Sequence, residues 1–141
     1  MDNIVLISCV SKKLPYNAKA KDLYVSSLFK YALKYAYKLN PDRIFILSAK
    51  YGLLELDDEI EPYDQTLNNM SGSEAKIWAS MVLKQLSSKT DMIHSEYVFL
   101  AGEKYRKFLI PEIKHFKIPL QGLSIGRQLQ KLKELTSRES E

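Results

Sequence analysis

The strongest chemical signal in this sequence lies directly after the apolar run at residues 44–47. The run ends on a group of small, polar and aromatic residues, which are Ser48, Lys50, Tyr51 and Gly52, followed further on by Tyr63 and Asp64. A strand that served only the core would need none of these side chains at its exit. Open α/β sheets form their binding crevices at such strand ends, so we interpret this segment as the lip of a ligand site.

Three residues are candidates for catalysis. Lys50 has one side against a buried strand, where a low dielectric favours a neutral, nucleophilic amine; alternatively, its stem packs on a neighbouring ring and its head reaches water. Asp64 follows the turn set by Pro62 and could be a general base or a hydrogen-bond acceptor, or it could stabilise its own turn. Cys9 could be a nucleophile if a nearby cation activated it, and a small buried residue at a strand end explains it too.

Four apolar runs predict strands, at residues 3–8, 43–49, 96–102 and 116–120. The first three are almost continuous in aliphatic and aromatic residues, which is typical of strands buried on both faces of a parallel sheet. The fourth contains Pro119, which cannot donate to a sheet hydrogen bond and therefore belongs at a strand end or a sheet edge.

Helical patterns fill the intervals between these strands, at about residues 23–39, 71–86, 103–110 and 125–135. The alternation of strand and helix predicts an α/β fold, a three-layer αβα sandwich with a mainly parallel four-stranded sheet. Ser71 and Glu74 fit a capping box at the start of the second helix. The residues of that helix expected to face inward are Ile77, Trp78, Met81, Val82 and Leu86.

The domain organisation is expected to be simple. The length of 141 residues suits one core, so we expect a single α/β domain over residues 1–136 and a disordered tail over residues 137–141. Residues 50–70 are the longest irregular stretch, and a loop of that length usually has a functional role or contains short helical turns.

Composition narrows the classes of protein and partner. A net charge of +4 weakly favours anionic partners such as nucleotides or nucleic acid. One cysteine cannot form an internal disulfide, and the first strand begins too early to leave room for a signal peptide, so we expect a cytoplasmic protein. No apolar run reaches the roughly 20 residues of a membrane helix. One cysteine and two histidines make a zinc site unexpected, and we expect no metal and no organic cofactor.

The carboxyl ends of parallel strands share one edge of a sheet, so the residues that follow the four strands should meet there. Tyrosines at this edge suit stacking on a flat ring together with a hydrogen bond. The Ser11-Lys12-Lys13 run could form a nest for an anion or could be a surface loop. The residues expected to bind substrate are Ser8, Ser11, Lys12, Tyr24, Ser48, Tyr51, Gly52, Tyr63, Gly102, Tyr105 and Gly126.

Two sets of motifs resemble known families. Residues 48–54, with Asp58, Ile60 and Pro62-Tyr63, resemble the peroxide-stress protein YaaA family. Residues 7–13 and 24–27 are similar to the Cys-x-x-Lys and Tyr-Ser elements of the archaeosine-synthase core domain.

Small uncharacterised bacterial and phage proteins carry both sets, together with an Ala101-Gly102-x-x-Tyr105 element and a Pro-Leu-x-Gly segment, and the chain is most similar to those. The resemblance implies a fold related to uracil-DNA glycosylase and a pocket for a base, nucleoside or nucleotide. It also adds Ser27 to the expected substrate-binding residues.

The function expected from the sequence is therefore an enzyme or enzyme-like domain that acts on a nucleobase or nucleotide, glycosylase-like or base-modifying, in nucleic-acid modification or damage response. Lys12 and Lys50 would hold phosphate or developing negative charge, Tyr51 and Tyr63 would contact the base, and Asp64 would transfer protons. A partner protein could assist so small a domain.

Two other functions stay open. One is a non-catalytic DNA-binding stress-response protein, which would use Lys30, Lys34, Lys38 and the last helix. The other is a protein that sequesters or senses a small nucleotide without turning it over.

Overall fold

The computed structural model describes residues 2–137, and its centre is a β-sheet of five strands in the order β4-β3-β1-β6-β7. The remaining strands, β2 and β5, form a separate antiparallel pair. The strands within the described residues are β1 (Asn3–Ser8), β2 (Ala18–Lys19), β3 (Arg43–Ser48), β4 (Gly52–Glu55), β5 (Glu59–Ile60), β6 (Glu96–Leu100) and β7 (Phe116–Lys117).

The central strand is β1, which is parallel to β3 on one side and to β6 on the other. Its aliphatic residues are almost fully buried, from Ile4 to Ile7, because both faces of the sheet are covered. The α/β class and the mostly parallel pairing are therefore confirmed. The fourth predicted strand exists only as the two residues of β7 at the sheet edge, and it ends before Pro119.

The predicted number of four strands is wrong, because the stretch at residues 50–70 is not irregular throughout. Gly52 has φ of +76°, a left-handed conformation that glycine adopts at little cost, and the chain reverses there into β4. This strand runs antiparallel to β3, with Ser48 opposite Gly52 and Ile46 opposite Leu54. The sheet is consequently mixed rather than purely parallel.

The helices within the described residues are α1 (Ala20–Leu23), α2 (Ser27–Lys38), α3 (Gly72–Lys89), α4 (Glu103–Arg106) and α5 (Ile125–Ser137). Helices α2 and α5 pack on each other and bury Ala32, Ala36 and Leu132 with one face of β1. Helix α3 covers the other face. No helix within residues 2–137 has the length and apolar character needed to cross a membrane.

Local capping explains where the main helices begin. Helix α2 starts at Ser27 rather than near residue 23, because the Ser26 hydroxyl accepts a hydrogen bond from the Phe29 amide at 3.1 Å. The predicted capping box of α3 is confirmed: the Ser71 hydroxyl accepts from the Glu74 amide at 3.2 Å, and the Glu74 carboxylate accepts from the Ser71 amide at 2.9 Å.

Two helix predictions are wrong in detail. The inward face of α3 is set by Trp78, Val82 and Leu86, which recur every four residues, and Ile77 and Met81 precede two of them by one position. One position is a rotation of about 100° around a helix, so Ile77 and Met81 are 73% and 37% exposed.

The helix predicted over residues 103–110 ends earlier, at Arg106, and a separate 3₁₀ turn at Ile110–Glu112 accommodates Pro111. At the other end of the chain, the predicted tail falls on residues 138–141, which lie outside the described residues, and on Ser137, which is the last residue of α5.

Candidate ligand-binding site

A cavity of about 760 Å³ opens at the carboxyl ends of β1 and β6. Its volume lies within the roughly 300–1,000 Å³ range of small-molecule sites. The chain passes from β1 to β3 on one side and later returns to β6 on the other. The cavity therefore lies at the point where the strand order reverses, which is where open α/β sheets bind their ligands.

The walls of the cavity differ in character. The apolar wall comes from α2, α5, the end of β6 and the turn after β7, and it consists of Leu28, Phe29, Ala32, Leu100, Leu120 and Leu132. The loop after β5 and the 3₁₀ turn at Leu67–Asn69 supply Asp64, Gln65, Thr66 and Asn68. The segment around α4 supplies Glu103, Lys104, Tyr105 and Lys107. A ligand with an apolar body and several polar edges would match these walls.

Three hydroxyl groups are joined beneath the cavity. The Tyr24 and Tyr63 hydroxyls lie 2.6 Å apart, and the Ser48 hydroxyl donates to the Tyr63 hydroxyl at 2.7 Å. Burial is the main reason why the pKa of each of the two phenols is raised above its ordinary value. Both are therefore neutral hydrogen-bonding groups near pH 7, and only Tyr63 reaches the cavity.

Ser48 has a structural role that the sequence did not indicate. Its hydroxyl accepts hydrogen bonds from the amides of Tyr51 at 3.1 Å and Lys50 at 3.3 Å, and its carbonyl accepts from the Trp78 indole at 2.9 Å. The side chain is fully buried. These contacts hold the β3–β4 turn closed, so Ser48 has no exposed group to offer a ligand.

The segment interpreted as the lip of the site is thus a hairpin turn, and Lys50, Tyr51 and Gly52 do not line the cavity. Lys50 is exposed and lies 5.3 Å from the centre of the Tyr51 ring. Gly52 faces α3, where an added Cβ would meet Gln85 Oε1 at 2.4 Å. Tyr51 contacts the site only indirectly, edge-on against Tyr63 at 5.7 Å between ring centres.

Lys13, not Lys12, reaches the cavity from the Ser11-Lys12-Lys13 run. Its Nζ lies 4.4 Å from the centre of the Tyr63 ring, within the range of a cation–π contact. Burial lowers the pKa of the Lys13 ammonium, and the nearby Cys9 and Asp64 partly oppose that shift. The backbone of Lys13 pairs with that of Tyr24 in one isolated antiparallel β-bridge, and this pairing turns the Lys13 side chain inward. Lys12, in contrast, is exposed.

Cys9 and Tyr105 form a second contact in the cavity wall. The Cys9 Sγ donates to the Tyr105 hydroxyl at 3.2 Å. Burial raises the pKa of Tyr105. The Trp78 ring packs edge-on against Tyr105 with 5.6 Å between ring centres, so the only tryptophan of the chain lies next to the cavity wall.

The structure brings together most of the predicted residues that follow β1 and β6. The members of this group that line the cavity are Ser8, Cys9, Ser11, Gly102 and Tyr105, joined by Tyr63 and Asp64 from the loop after β5. Tyr24 lies behind Tyr63. Ser27 and Gly126 stay outside, although their neighbours Leu28 and Ile125 take part.

Several lining residues were missed from the sequence: Gln65, Thr66, Asn68, Lys104, Lys107 and Gln128. The unbroken polar run from residue 64 to residue 66 could have indicated the first two. Nothing in the part of the chain that the structure describes groups three or more histidine, cysteine, aspartate or glutamate side chains as a metal site would require.

The fold and the site define a class: an α/β protein with a cavity at the carboxyl edge of a mostly parallel sheet. Residues 4–134 match DUF6884, described as a family of unknown function, and the chain belongs to that family. No curated protein and no solved structure matches the chain.

Proposed function

We propose that this chain binds a nucleobase or nucleotide in the cavity and acts on it as an enzyme of base modification or damage response, glycosylase-like or base-modifying. The architecture that we propose with this function is a three-layer αβα sandwich, and the helices on both faces of the sheet support it. The single observation that carries the proposal is the pairing of an apolar wall with a loop of exposed amide and carboxylate side chains in one cavity.

This pairing fits the two surfaces of a base. The flat face is apolar enough to pack against the apolar wall, in which Leu28 is only partly buried. The edge presents donors and acceptors, and side-chain amides and carboxylates are among the protein groups that pair with base edges. Gln65 and Asn68 are exposed at the cavity and are the side chains best suited to this contact.

The assignment of roles changes from the one expected from sequence. The ring of Tyr63 is covered by Lys13, so the base packs on the apolar wall rather than on this tyrosine. Lys13 takes the place of Lys12 and Lys50 as the cation of the site. Asp64 remains the candidate for proton transfer, since its carboxylate is exposed in the cavity lining.

The first experiment is a thermal-shift screen of bases, nucleosides, nucleotides and short oligonucleotides. A ligand at about 100 times its dissociation constant adds roughly 2.7 kcal/mol to the free energy of unfolding. Gln65→Ala should weaken binding, and Lys50→Ala should not. A nucleotide shift that disappears in Lys50→Ala but persists in Gln65→Ala would contradict this placement of the site.

Catalysis is tested separately on the ligand that the screen identifies. Asp64→Asn should retain most of the binding and lose turnover, whereas Asp57→Asn is the matched control, because Asp57 is exposed and pairs with Lys21 at 3.3 Å outside the cavity. Binding by the wild type without any turnover would favour a protein that sequesters or senses a nucleotide.

One observation favours the DNA-binding alternative. Helices α2 and α5 lie side by side, and lysines of each helix contact the other. Lys38 Nζ of α2 donates to the Leu135 carbonyl at 2.8 Å, and Lys133 Nζ of α5 lies 5.6 Å from the centre of the Tyr31 ring. This alternative predicts a shift with oligonucleotides, steeply weakened by salt, and none with mononucleotides.

A further inference from the structure

Three lysines and two carboxylates belong to the cavity lining, so positive charges outnumber negative charges there. The lysines are Lys13, Lys104 and Lys107, and the carboxylates are Asp64 and Glu103. None of these lysines takes part in an ion pair within 4 Å among residues 2–137. The lining therefore carries positive charge that no carboxylate contacts directly.

Lys13 is the most constrained of the three lysines. Its Nζ lies over the Tyr63 ring at 4.4 Å and 5.8 Å from the centre of the Tyr24 ring, and its one hydrogen bond goes to the Ser11 carbonyl at 3.4 Å. Lys104 and Lys107 are exposed on the surface around α4. An ammonium group has three donors, so Lys13 keeps donors available for a ligand while its stem stays fixed.

Partial burial makes this ammonium a better partner for an anion than a surface lysine. Water has already been removed from one side of the group, which is why its pKa is lowered. A bound anion would restore the lost stabilisation of the charge, and the electrostatic attraction is stronger in these surroundings than in bulk water.

We propose that Lys13 binds a phosphate group of the ligand, so that the site selects a nucleoside phosphate over the corresponding nucleoside or free base. This inference rests on the proposed function, because it says which residue binds the charged end of the nucleotide proposed to occupy the cavity. Lys104 and Lys107 attract the phosphate toward the cavity mouth from the side of α4. The base then lies against the apolar wall, and no covalent step is involved.

The test compares four 5′-nucleoside monophosphates with the four matching nucleosides on wild type, Lys13→Met, Lys13→Arg and Lys50→Met by titration calorimetry. Lys50→Met is a closely matched control, because Lys50 also lies over a tyrosine ring, at 5.3 Å, but outside the cavity. At least one monophosphate should bind the wild type about tenfold or more tightly than its nucleoside, as expected for a charge-assisted contact.

Lys13→Met should abolish this preference, Lys13→Arg should keep part of it, and Lys50→Met should keep all of it. Inorganic phosphate should compete with the monophosphate and not with the nucleoside on the wild type, which tests the inference even if Lys13→Met fails to fold. A preference that persists in folded Lys13→Met overturns the inference.

Equal binding of nucleosides and monophosphates by the wild type also overturns the inference, yet leaves the proposed function standing. If the wild type binds neither nucleosides nor monophosphates, the result contradicts both the inference and the proposed function. The two failures are therefore distinguishable in one set of titrations.

Discussion

The hydroxyl of Tyr63 lies 2.6 Å from the hydroxyl of Tyr24, although the two residues come from segments on opposite sides of α2 and β3 in the chain. Ser48 completes the contact from the end of β3. These three hydroxyls join the end of a sheet strand to the two segments that flank the cavity. The ring of Tyr63 consequently has a fixed position beneath Lys13, and the shape of the cavity depends on it.

Removing the central hydroxyl should destabilise the fold. Tyr63→Phe leaves the Ser48 and Tyr24 hydroxyls buried without their shared partner, which should lower the free energy of unfolding by about 1–3 kcal/mol. Urea denaturation measures this change. Tyr16→Phe is the control, since Tyr16 is 61% exposed and should be close to neutral. Adding Tyr24→Phe to Tyr63→Phe should cost less than the sum of the single changes; strict additivity would contradict the coupling.

Stability should decrease in alkaline solution for the same reason. The pKa of both phenols is raised in the folded state above the ordinary value of 10.0, so the unfolded chain loses these protons first. Their contribution is complete below about pH 10 and is lost as the pH rises further toward the folded-state values. Unfolding free energies at pH 8 and pH 11 should show the loss. The Tyr24→Phe/Tyr63→Phe double variant should lose less than the wild type, while Tyr16→Phe should follow the wild type.

Two glycines that the sequence placed in the site should respond to alanine in opposite ways. Gly52 has φ of +76°, and an added Cβ would meet Gln85 Oε1 at 2.4 Å and Met81 Cε at 2.7 Å, so Gly52→Ala should lower stability by about 1–2 kcal/mol or more. Gly126 lies in α5, and an added Cβ there would meet nothing within 4 Å.

Gly126→Ala should therefore be neutral or raise stability by up to about 1 kcal/mol, because alanine is the better helix former. Thermal denaturation of the two variants and the wild type measures these changes in stability. A stable Gly52→Ala protein would mean that the β3–β4 turn does not need its left-handed residue.

Chemical labelling of Cys9 should report on occupancy of the cavity. Cys9 is the only cysteine, lies in the cavity lining, and is 8% exposed. Alkylation by iodoacetamide should be slow in the folded protein, fast in urea, and slower still with a saturating ligand, as mass spectrometry would show. A tightly bound nucleotide that leaves the labelling rate unchanged would place its site elsewhere.

The sheet was largely predictable because its signal is local. Aliphatic runs define β1, β3 and β6, and two residues, Ser71 and Glu74, define the start of α3. The hairpin into β4 was not predictable in the same way. The apolar pair Leu53-Leu54 is too short to indicate a strand by itself, and its pairing with β3 depends on one glycine conformation.

The same hairpin explains which site residues were misplaced. Lys50, Tyr51 and Gly52 were assigned to the carboxyl edge on the assumption that the chain continues outward after β3. It turns back instead, and the residues that follow β1 and β6 form the cavity. The choice between Lys12 and Lys13 depends on which of them pairs with Tyr24, and that partner is not visible in the residues next to either lysine.

The central position of β1 has a consequence for how the protein is made. Its partner β6 begins at Glu96, so during synthesis one edge of this apolar strand stays unpaired until the residues of β6 have left the ribosome. Unpaired strand edges associate with other chains, and nascent domains are most exposed to aggregation at this stage. The cavity needs residues from Ile7 to Leu132, so a nascent chain completes this cavity only after α5 has been synthesised.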